Sequence, residues 1–321
     1  MEKTTTVAAG IDTSKAKLDI AVLGPAGAMT VENNRSGWKA LTAHFTKLGV
    51  TRIGIEATGG YERGVTRFLQ EAGFKLIVLQ PLQVRSFAKM RLKRAKNDRI
   101  DALLIAACAE LIDPDERMEP DPRFDALADH LTFIEQIEED LTRMRIRLEH
   151  VAETRLRRIA KADITRLEKR QDAEIKRLIA RLQAYPDLAL RYQLVLSVPG
   201  IGPRTALAIV VRMPELGQVS REEAASLAGL APFVQQSGKH AGEAHIGGGR
   251  DRLRHALYHA SLAASFRWNP ALVTLYQRLI QKGKPHKTAL IACARKLLIY
   301  ANTVVQRGSP WIKHENTPAT A

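Results

Sequence analysis

Residues 7–23 read VAAGIDTSKAKLDIAVL, in which two runs of alternating apolar residues are separated by a short polar segment. Such alternation is typical of strands with one buried face. The segment Asp-Thr-Ser-Lys at residues 12–15 consists of turn formers, so we predict a β-hairpin. Asp12 then has two interpretations. It is either a solvated turn residue or a carboxylate at the mouth of a sheet, where active sites collect.

The segment that follows the hairpin alternates predicted strands and helices up to about residue 112. Residues 51–60, TRIGIEATGG, predict a strand that ends at Glu56 before a glycine-rich turn. Further along, residues 61–74 predict a helix closed by Gly73, residues 75–81 a strand stopped by Pro81, and residues 97–112 a helix. Together these elements indicate an α/β domain with a hairpin at its start and parallel elements after it.

The rest of the chain predicts a linker, a helical arm and a second domain. Residues 113–124, DPDERMEPDPRF, contain three prolines and read as a linker. From Leu127 the apolar residues step by three and four, as in a coiled coil, with a blurred stretch at residues 161–163. The predicted boundaries are 1–115 for the α/β domain, 125–188 for the arm, 190–308 for a mostly helical domain, and 309–321 for a poorly ordered tail.

The composition indicates a polyanionic partner. The 321 residues include 49 Lys and Arg against 34 Asp and Glu, a net charge of +15. Nucleic acid is the leading candidate; a merely basic protein or one that binds anionic membrane are the alternatives. No apolar run reaches about 18 residues, which argues against a membrane. Aromatic residues are only 5%, so base stacking is not the obvious binding mode.

The arginines of the arm and the two cysteines of the chain carry less specific signals. The arginines are either a solvated helix face or a basic surface that lies along a phosphate backbone. Cys108 and Cys293 lie in alanine-rich helical stretches and read as small core residues. A disulfide or zinc framework is excluded by such a pair, and we expect a reducing cytoplasm.

Four acidic residues follow the predicted strand ends and a helix start. Asp12 and Glu56 end strands, and the three-residue spacing of Asp98 and Asp101 puts both on one helix face. Carboxylates from several rigid elements suit two hard cations about 4 Å apart. The cationic run within residues 83–101, QVRSFAKMRLKRAKNDRID, suits a site that receives phosphate. The alternatives are a helix N-cap for Asp98 and a first-turn acid for Asp101.

Residues 196–213, LSVPGIGPRTALAIVVRM, have the form of a helix-hairpin-helix. Gly200 and Gly202 let the backbone turn closely, so that its N–H groups can face a phosphate. A plain turn between two helices is the alternative.

A polar loop with Ser237 leads through a glycine triplet to a helix start rich in arginine, namely Arg250, Arg252 and Arg254. Ser237 is either an ordinary Ser-Gly turn residue or a nucleophile on phosphorus, with the arginines holding the phosphoryl oxygens. Tyr258 is a nearby competitor whose helical setting suggests packing instead.

The stretches GIDTSKAKLDIAVL, GIEATGGYE and AKNDRIDALLIA together resemble the RuvC-like, ribonuclease-H-fold domain of the IS110 family of bacterial insertion-sequence transposases. The resemblance implies an acidic tetrad at Asp12, Glu56, Asp98 and Asp101 that binds Mg²⁺ or Mn²⁺. The serine stretch and KPHKTALIACARKLL resemble the family's transposase domain, which implies that Ser237 is the catalytic serine. Lys239, His240 and His245 receive no role.

The resemblance implies a DNA recombinase that excises and inserts its own mobile element. It further implies a structured bridge RNA that chooses donor and target DNA, and a homo-oligomer, dimer or tetramer, joined through the arm. The alternatives are a RuvC-like junction nuclease in which water attacks, an actin-like or sugar-kinase ATPase, and a non-catalytic RNA or DNA scaffold. The ATPase would need a second glycine-rich phosphate loop, which we do not find.

Overall fold

The computed structural model of the chain describes residues 7–24, 27–92, 98–112, 121–233, 236–237, 240–241 and 245–312. The chain divides into two compact units, Met1–Glu119 and Pro120–Ala321. The boundary falls within the predicted linker, of which residues 113–120 lie outside the described part. Pro122 is already the first residue of a helix, a position where proline is favoured.

The first unit is built on a five-stranded mixed sheet. Its strands are β1 (Ala8–Thr13), β2 (Lys17–Val22), β3 (Ala28–Glu32), β4 (Arg52–Glu56) and β5 (Lys75–Leu79), in the order β3-β2-β1-β4-β5. The predicted hairpin is confirmed, because β1 and β2 pair antiparallel. The predicted parallel strands are confirmed as well, because β4 pairs with both β1 and β5 in that sense.

Helices cover both faces of this sheet: α1 (Arg35–Leu48), α2 (Arg63–Glu71), α3 (Pro81–Met90) and α4 (Asp98–Glu110). One core contains Ile11 with Leu41 and Phe45 of α1, and the other contains Leu79 with Ile105 of α4. Pro81 follows β5, as expected, but it also begins α3, since the missing N–H of proline costs nothing at a first helical position.

The arm is an antiparallel hairpin of α5 (Pro122–Glu149) and α6 (Thr154–Gln183) within one chain. Arg145 pairs with Glu168 at 2.8 Å and His130 with Glu174 at 2.9 Å. The hydrogen bond with His130 also lowers the pKa of Glu174. The apolar seam contains Ile137, Leu141 and Ile164.

The chain reverses within the arm at a position that the apolar pattern does not mark. Residues 161–163 lie inside α6, and the chain reverses at residues 150–153, between the two helices. The reversal contains neither glycine nor proline. Instead, the Glu153 side chain caps α6 by accepting the backbone N–H of Arg155. The blurred stretch reflects exposed positions near the start of α6, where Lys161 and Ala162 face solvent.

The second unit continues from the arm into a helical body. Its elements are α7 (Pro186–Leu196), α8 (Pro203–Arg212), α9 (Arg221–Leu227), β6 (Gln236–Ser237), β7 (His240–Ala241), α10 (Asp251–Ala263), a π-turn (Ala264–Trp268), α11 (Pro270–Gln281) and α12 (His286–Arg307). Its core contains Leu207 and Leu297 together with Leu131, Ile134 and Leu178 of the arm. The base of the arm is therefore part of this core.

The poorly ordered tail that we predict at residues 309–321 begins too early in the chain, because Trp311 is packed. Trp311 packs on Tyr300 with ring centroids 4.7 Å apart, and its backbone N–H donates to Ser197 Oγ at 2.8 Å. The partial burial of a large ring and a satisfied N–H order this part of the chain. Residues 313–321 lie outside the described part.

One helix of the described chain, α12, is long and apolar enough to span a membrane by length and composition alone. Half of its apolar window is buried inside the second unit, with Cys293 and Leu297 fully covered. The same length and composition are met by a core helix, which is how α12 packs here. Cys108 is buried too, so both cysteines are the core residues that we predict.

Candidate active site

Two of the predicted carboxylates lie side by side at one end of the sheet. The ladder between β1 and β4 pairs Ile11 with Ile55, so the next positions, Asp12 and Glu56, lie at the same level. Neighbouring strands are about 4.8 Å apart, and residues at one level of a parallel pair point to the same face. Both residues are half-buried. The sheet therefore places the two acids together on one face.

That face is the one covered by α4, as two glycines show. A Cβ atom on Gly10 would lie 2.1 Å from the carbonyl oxygen of Ala102, and one on Gly54 would lie 2.7 Å from the Cβ of Ala109. Side chains two apart on a strand share a face, so Asp12 and Glu56 face the same side as these glycines. Glycine is needed at both positions because the helix backbone touches the strands.

The direction of α4 brings its acidic start toward the same end of the sheet. At the start of β4, Arg52 Nη1 donates to the carbonyl oxygen of Glu110 at 2.7 Å, so the end of α4 lies near the start of the strand. The start of α4 consequently lies toward the strand ends, where Glu56 is found. Asp101 is half-buried in this first turn.

The acidic tetrad remains a prediction. Asp98 is the first residue of α4, but its side chain lies outside the described part of the structure. Among the side chains that are described, no three of His, Cys, Asp or Glu are grouped so that they could hold a metal ion. The fold thus gathers the elements that carry the four acids, and three of the acids have described positions. In the preceding cationic run, residues 93–97 lie outside the described part.

Gly10→Val tests the close packing of α4. We expect the variant to destabilise the first unit by about 3 kcal/mol, because a side chain has no room against the backbone of Ala102. Hydrogen–deuterium exchange of the β1 and β4 amides measures the loss of protection. The control is Gly49→Ala, where φ is +64° and nothing lies within 4 Å. Its cost should be about 1 kcal/mol from backbone strain alone. Equal effects of both variants would remove the packing argument.

A fifth carboxylate, Asp19, lies beside Asp12 and escaped the sequence analysis. The antiparallel register pairs the two residues directly, so they share a face. Asp19 is held by Lys17 Nζ at 2.9 Å and accepts a hydrogen bond from Thr30 Oγ1 at 2.7 Å. Only the register of the β1–β2 hairpin shows that Asp19 lies beside Asp12.

Asn33 joins the two loops that follow the candidate acids. Its Nδ2 donates to the carbonyl oxygen of Ser14 at 2.9 Å and to that of Tyr61 at 3.1 Å, and its Oδ1 accepts from Trp38 Nε1 at 2.9 Å. One amide thereby fixes the loop after β1 relative to the loop after β4. The sequence carries no signal for this role, since asparagine is ordinary in a loop.

Glu62 fixes the loop after Glu56 from within. Its buried carboxylate accepts the backbone N–H groups of Thr58 at 3.0 Å and Gly60 at 2.9 Å. A buried charge is tolerated where it receives such hydrogen bonds. Glu62 is therefore a positioning residue for the strand end that carries Glu56.

Ser237 lies in a short β-hairpin of the second unit. Its strand β6 pairs antiparallel with β7, and Ser237 is in register with His240. Nearer the body, Phe233 and His245 exchange two backbone hydrogen bonds of 2.9 and 3.0 Å. The side chains of Ser237 and His240 lie outside the described part, as does all of Lys239. The structure thus places the backbone of the candidate serine on a two-stranded hairpin.

The three arginines that follow this hairpin all bind protein oxygens. The acceptors are Glu215 for Arg250 at 2.5 and 2.8 Å, Glu135 for Arg252 at 2.8 Å, and the carbonyl oxygen of Gly248 for Arg254 at 2.5 Å. The expectation that they hold phosphoryl oxygens therefore gains no support from their contacts. They connect the start of α10 to neighbouring segments of the unit. Tyr258 is half-buried on α10 with its ring against His259.

The predicted helix-hairpin-helix segment consists of α7, a loop over residues 197–202, and α8. Gly200 has a φ of +94°, and a Cβ there would lie 2.4 Å from the Cβ of Ala264. Glycine is required at this position by the left-handed backbone and by the close approach of the π-turn. Arg204, at the start of α8, donates to Glu138 of the arm at 2.9 Å.

Comparison with known proteins gives two family matches. A transposase model of the DEDD IS110 type matches residues 9–161, and a model described as the transposase IS116/IS110/IS902 family matches residues 192–277. The first match contains all four predicted acids, and the second contains Ser237.

The chain is also similar to curated proteins. The pilin gene-inverting proteins of Moraxella lacunata and Moraxella bovis are each 30% identical over 298 residues, covering 88% of this chain and 90% of theirs. An uncharacterised protein of insertion element IS110 from Streptomyces coelicolor is 29% identical over 150 residues, covering 46% of this chain and 36% of its own length.

Proposed function

Since the chain belongs to the IS110 family of transposases and is an enzyme that recombines DNA, we propose that it excises and integrates an insertion sequence, guided by an element-encoded RNA. The observation that carries this proposal is the pair of carboxylates, Asp12 and Glu56, at one level of the sheet on the side of α4. The strand order β3-β2-β1-β4-β5, antiparallel then parallel, supports a RuvC-like, ribonuclease-H-like fold for the first unit.

The donor set fits a hard divalent cation. Asp12, Glu56, Asp98 and Asp101 offer only oxygen ligands, which Mg²⁺ and Mn²⁺ prefer. When bound, the cation would stabilise the negative charge that develops on the phosphate oxygens. The residues of the chain supply the fixed geometry, because β1, β4 and α4 are rigid elements packed backbone to backbone.

Ser237 supplies the nucleophile in this proposal. Its Oγ loses a proton and attacks phosphorus, forming a phosphoserine ester while one DNA oxygen leaves and takes up a proton. The hydroxyl of the exchanged strand then attacks the same phosphorus and releases the serine. The number of phosphoester bonds is unchanged, so the reaction needs no ATP. The place of Ser237 within the transposase family match supports this assignment.

A basic arm and an exposed apolar tip support the proposed partners. Arg155, Arg158 and Lys161 are exposed on α6 and make no ion pair within the described residues, which suits an RNA or DNA backbone. The seam that we expected to join subunits is instead filled within one chain by α5 and α6. The exposed Leu156 and Ile159 near the reversal offer a surface for a second copy, as dimer or tetramer. Both cysteines are buried core residues, which suits a reducing bacterial cytoplasm.

A covalent adduct tests the proposed chemistry. Full-length protein is incubated with end-labelled DNA of the element boundary, its RNA and Mg²⁺, and resolved on a denaturing gel. We expect a protease-sensitive protein–DNA band that requires the metal and grows when RNA is present. Nicked DNA without that band would assign the junction nuclease instead, and binding without cleavage would assign a scaffold.

A further inference from the structure

Two aromatic rings project into solvent from the π-turn. Phe266 is 55% exposed and Trp268 is 58% exposed, with Arg267 between them. The residues on either side, Ser265 and Asn269, are buried. Large rings with so much exposed area are costly to leave in water, since apolar surface is the main source of burial energy. Their exposure, in a chain with few aromatic residues, indicates a ligand-binding surface.

The π-turn is held rigidly against the loop between α7 and α8. The backbone N–H of Asn269 donates to the carbonyl oxygen of Ala264 at 3.0 Å, which is the five-residue bond of a π-helix. The Asn269 side chain donates to the carbonyl oxygen of Pro199 at 3.0 Å. Gly200 leaves room for Ala264 on the other side. Single π-turns inside helices are frequent at functional sites.

Each exposed ring has a fixed partner. Phe266 meets Tyr276 edge-on, with centroids 5.0 Å apart, and lies nearly parallel to the ring of His286 at 6.3 Å. The hydroxyl of Tyr276 and Nδ1 of His286 are 2.6 Å apart, which locks these two supports together. The guanidinium carbon of Arg267 is 5.1 Å from the centroid of the Trp268 ring. The rings are thus held in place without a ligand, so binding a ligand would cost little conformational entropy.

The surroundings of the rings are cationic. No Asp or Glu occurs between Asp251 and Glu315. Lys282, Lys284 and Lys287 are exposed beside the ring cluster, and none of them forms an ion pair within the described residues. Cations without acidic partners around bare aromatic rings complement a ligand that carries both phosphate and a flat apolar face. A helix of a partner protein could cover the apolar rings, but it would not supply a row of negative charges for the exposed lysines.

We propose that Phe266 and Trp268, with Arg267, form a stacking platform for unpaired bases of single-stranded DNA. The platform is defined by these three residues. Bases within a duplex are already stacked on each other, so the platform would select strands that have been opened. This inference rests on the proposed function, because strand exchange opens DNA strands. The transposase family match spans all three residues.

Binding in the absence of metal tests the platform apart from the chemistry. Fluorescence anisotropy of the full-length protein in EDTA is measured with a short labelled oligothymidylate, a matched oligouridylate and a blunt DNA duplex. We expect the Phe266→Ala, Trp268→Ala double variant to bind oligothymidylate at least about tenfold more weakly, since a base stacked on a ring contributes strongly. Affinity for the duplex should be unchanged. The single variant Trp268→Phe keeps an aromatic ring at this position, so it should bind oligothymidylate nearly as tightly as the wild type.

Tyr185→Ala is the matched control. Its ring is 37% exposed and also has an arginine, Arg123, 5.1 Å from its centroid. It should leave all three affinities unchanged. Equal losses on single strand and duplex would overturn the platform in favour of general electrostatics or misfolding, and a loss confined to oligouridylate would make the ligand RNA. Asp12→Asn and Ser237→Ala proteins should bind oligothymidylate normally, so failure of the proposed chemistry leaves this result standing.

Discussion

Asp12→Asn is expected to reduce DNA strand cleavage by at least about a thousandfold while leaving the fold intact. A neutral amide is a poorer ligand than a carboxylate for a hard cation. Loss of the metal's charge stabilisation costs several kcal/mol of the barrier, and about 4 kcal/mol corresponds to this factor. Asp12 is half-buried at a strand end, so we expect the free energy of unfolding to change by about 0.5 kcal/mol or less. Cleavage of labelled DNA in Mg²⁺ measures the effect.

Asp19→Asn is the matched control for this variant. Asp19 lies in register with Asp12 on the same face, where it binds Lys17 and Thr30. Its substitution should lower cleavage by about tenfold at most, because it removes no proposed ligand. Normal cleavage by Asp12→Asn would take Asp12 out of the site. A complete loss in both variants would extend the site onto β2.

Ser237→Ala is expected to eliminate both strand exchange and the covalent adduct. The substitution removes a single hydroxyl from a hairpin of two-residue strands, so the free energy of unfolding should change by about 0.5 kcal/mol or less. Binding of DNA and RNA should persist, because it rests on the basic surface rather than on the serine. Ser237→Cys should retain at most a trace of activity, since a thiolate is nucleophilic but differs in geometry and metal preference. The denaturing gel and a filter-binding measurement together separate chemistry from binding.

Tyr258→Phe is the control nucleophile variant. Tyr258 is half-buried on α10, where it packs against His259. We expect its adduct yield to equal that of the wild type. An adduct that survives in Ser237→Ala and disappears in Tyr258→Phe would make the enzyme tyrosine-dependent and overturn the serine assignment.

Local patterns in the sequence predict the strand ends well, because alternation and turn formers act over a few residues. They predict the β1–β2 hairpin and the strand that ends at Glu56. We do not predict β3, a five-residue edge strand in which only Met29 and Val31 pack against the core, because so short an alternation is a weak signal. The reversal at residues 150–153 escapes because it contains no glycine or proline, the residues that usually mark a turn.

The sequence does not show which residues of the candidate site are close in space. Asp19 is seven residues from Asp12 in the chain, and only the hairpin register makes them neighbours. Asn33 reaches two loops that are far apart in sequence. The low aromatic content argued against base stacking, yet a chain-wide average says nothing of where two rings lie. Phe266 and Trp268 share one turn of the chain, and that concentration becomes visible once exposure is known.

The shared core of the arm and the helical body determines where this protein can be divided. Leu131 and Ile134 on α5 and Leu178 on α6 are buried among the C-terminal helices. A fragment that starts near residue 190 would therefore expose the apolar residues that the arm covers, and we expect it to aggregate. A fragment that starts at Pro120 keeps the whole core of the second unit. From Leu141 to Ile164 the hairpin has its own apolar seam, so this distal part of the arm can change in length without disturbing the helical body.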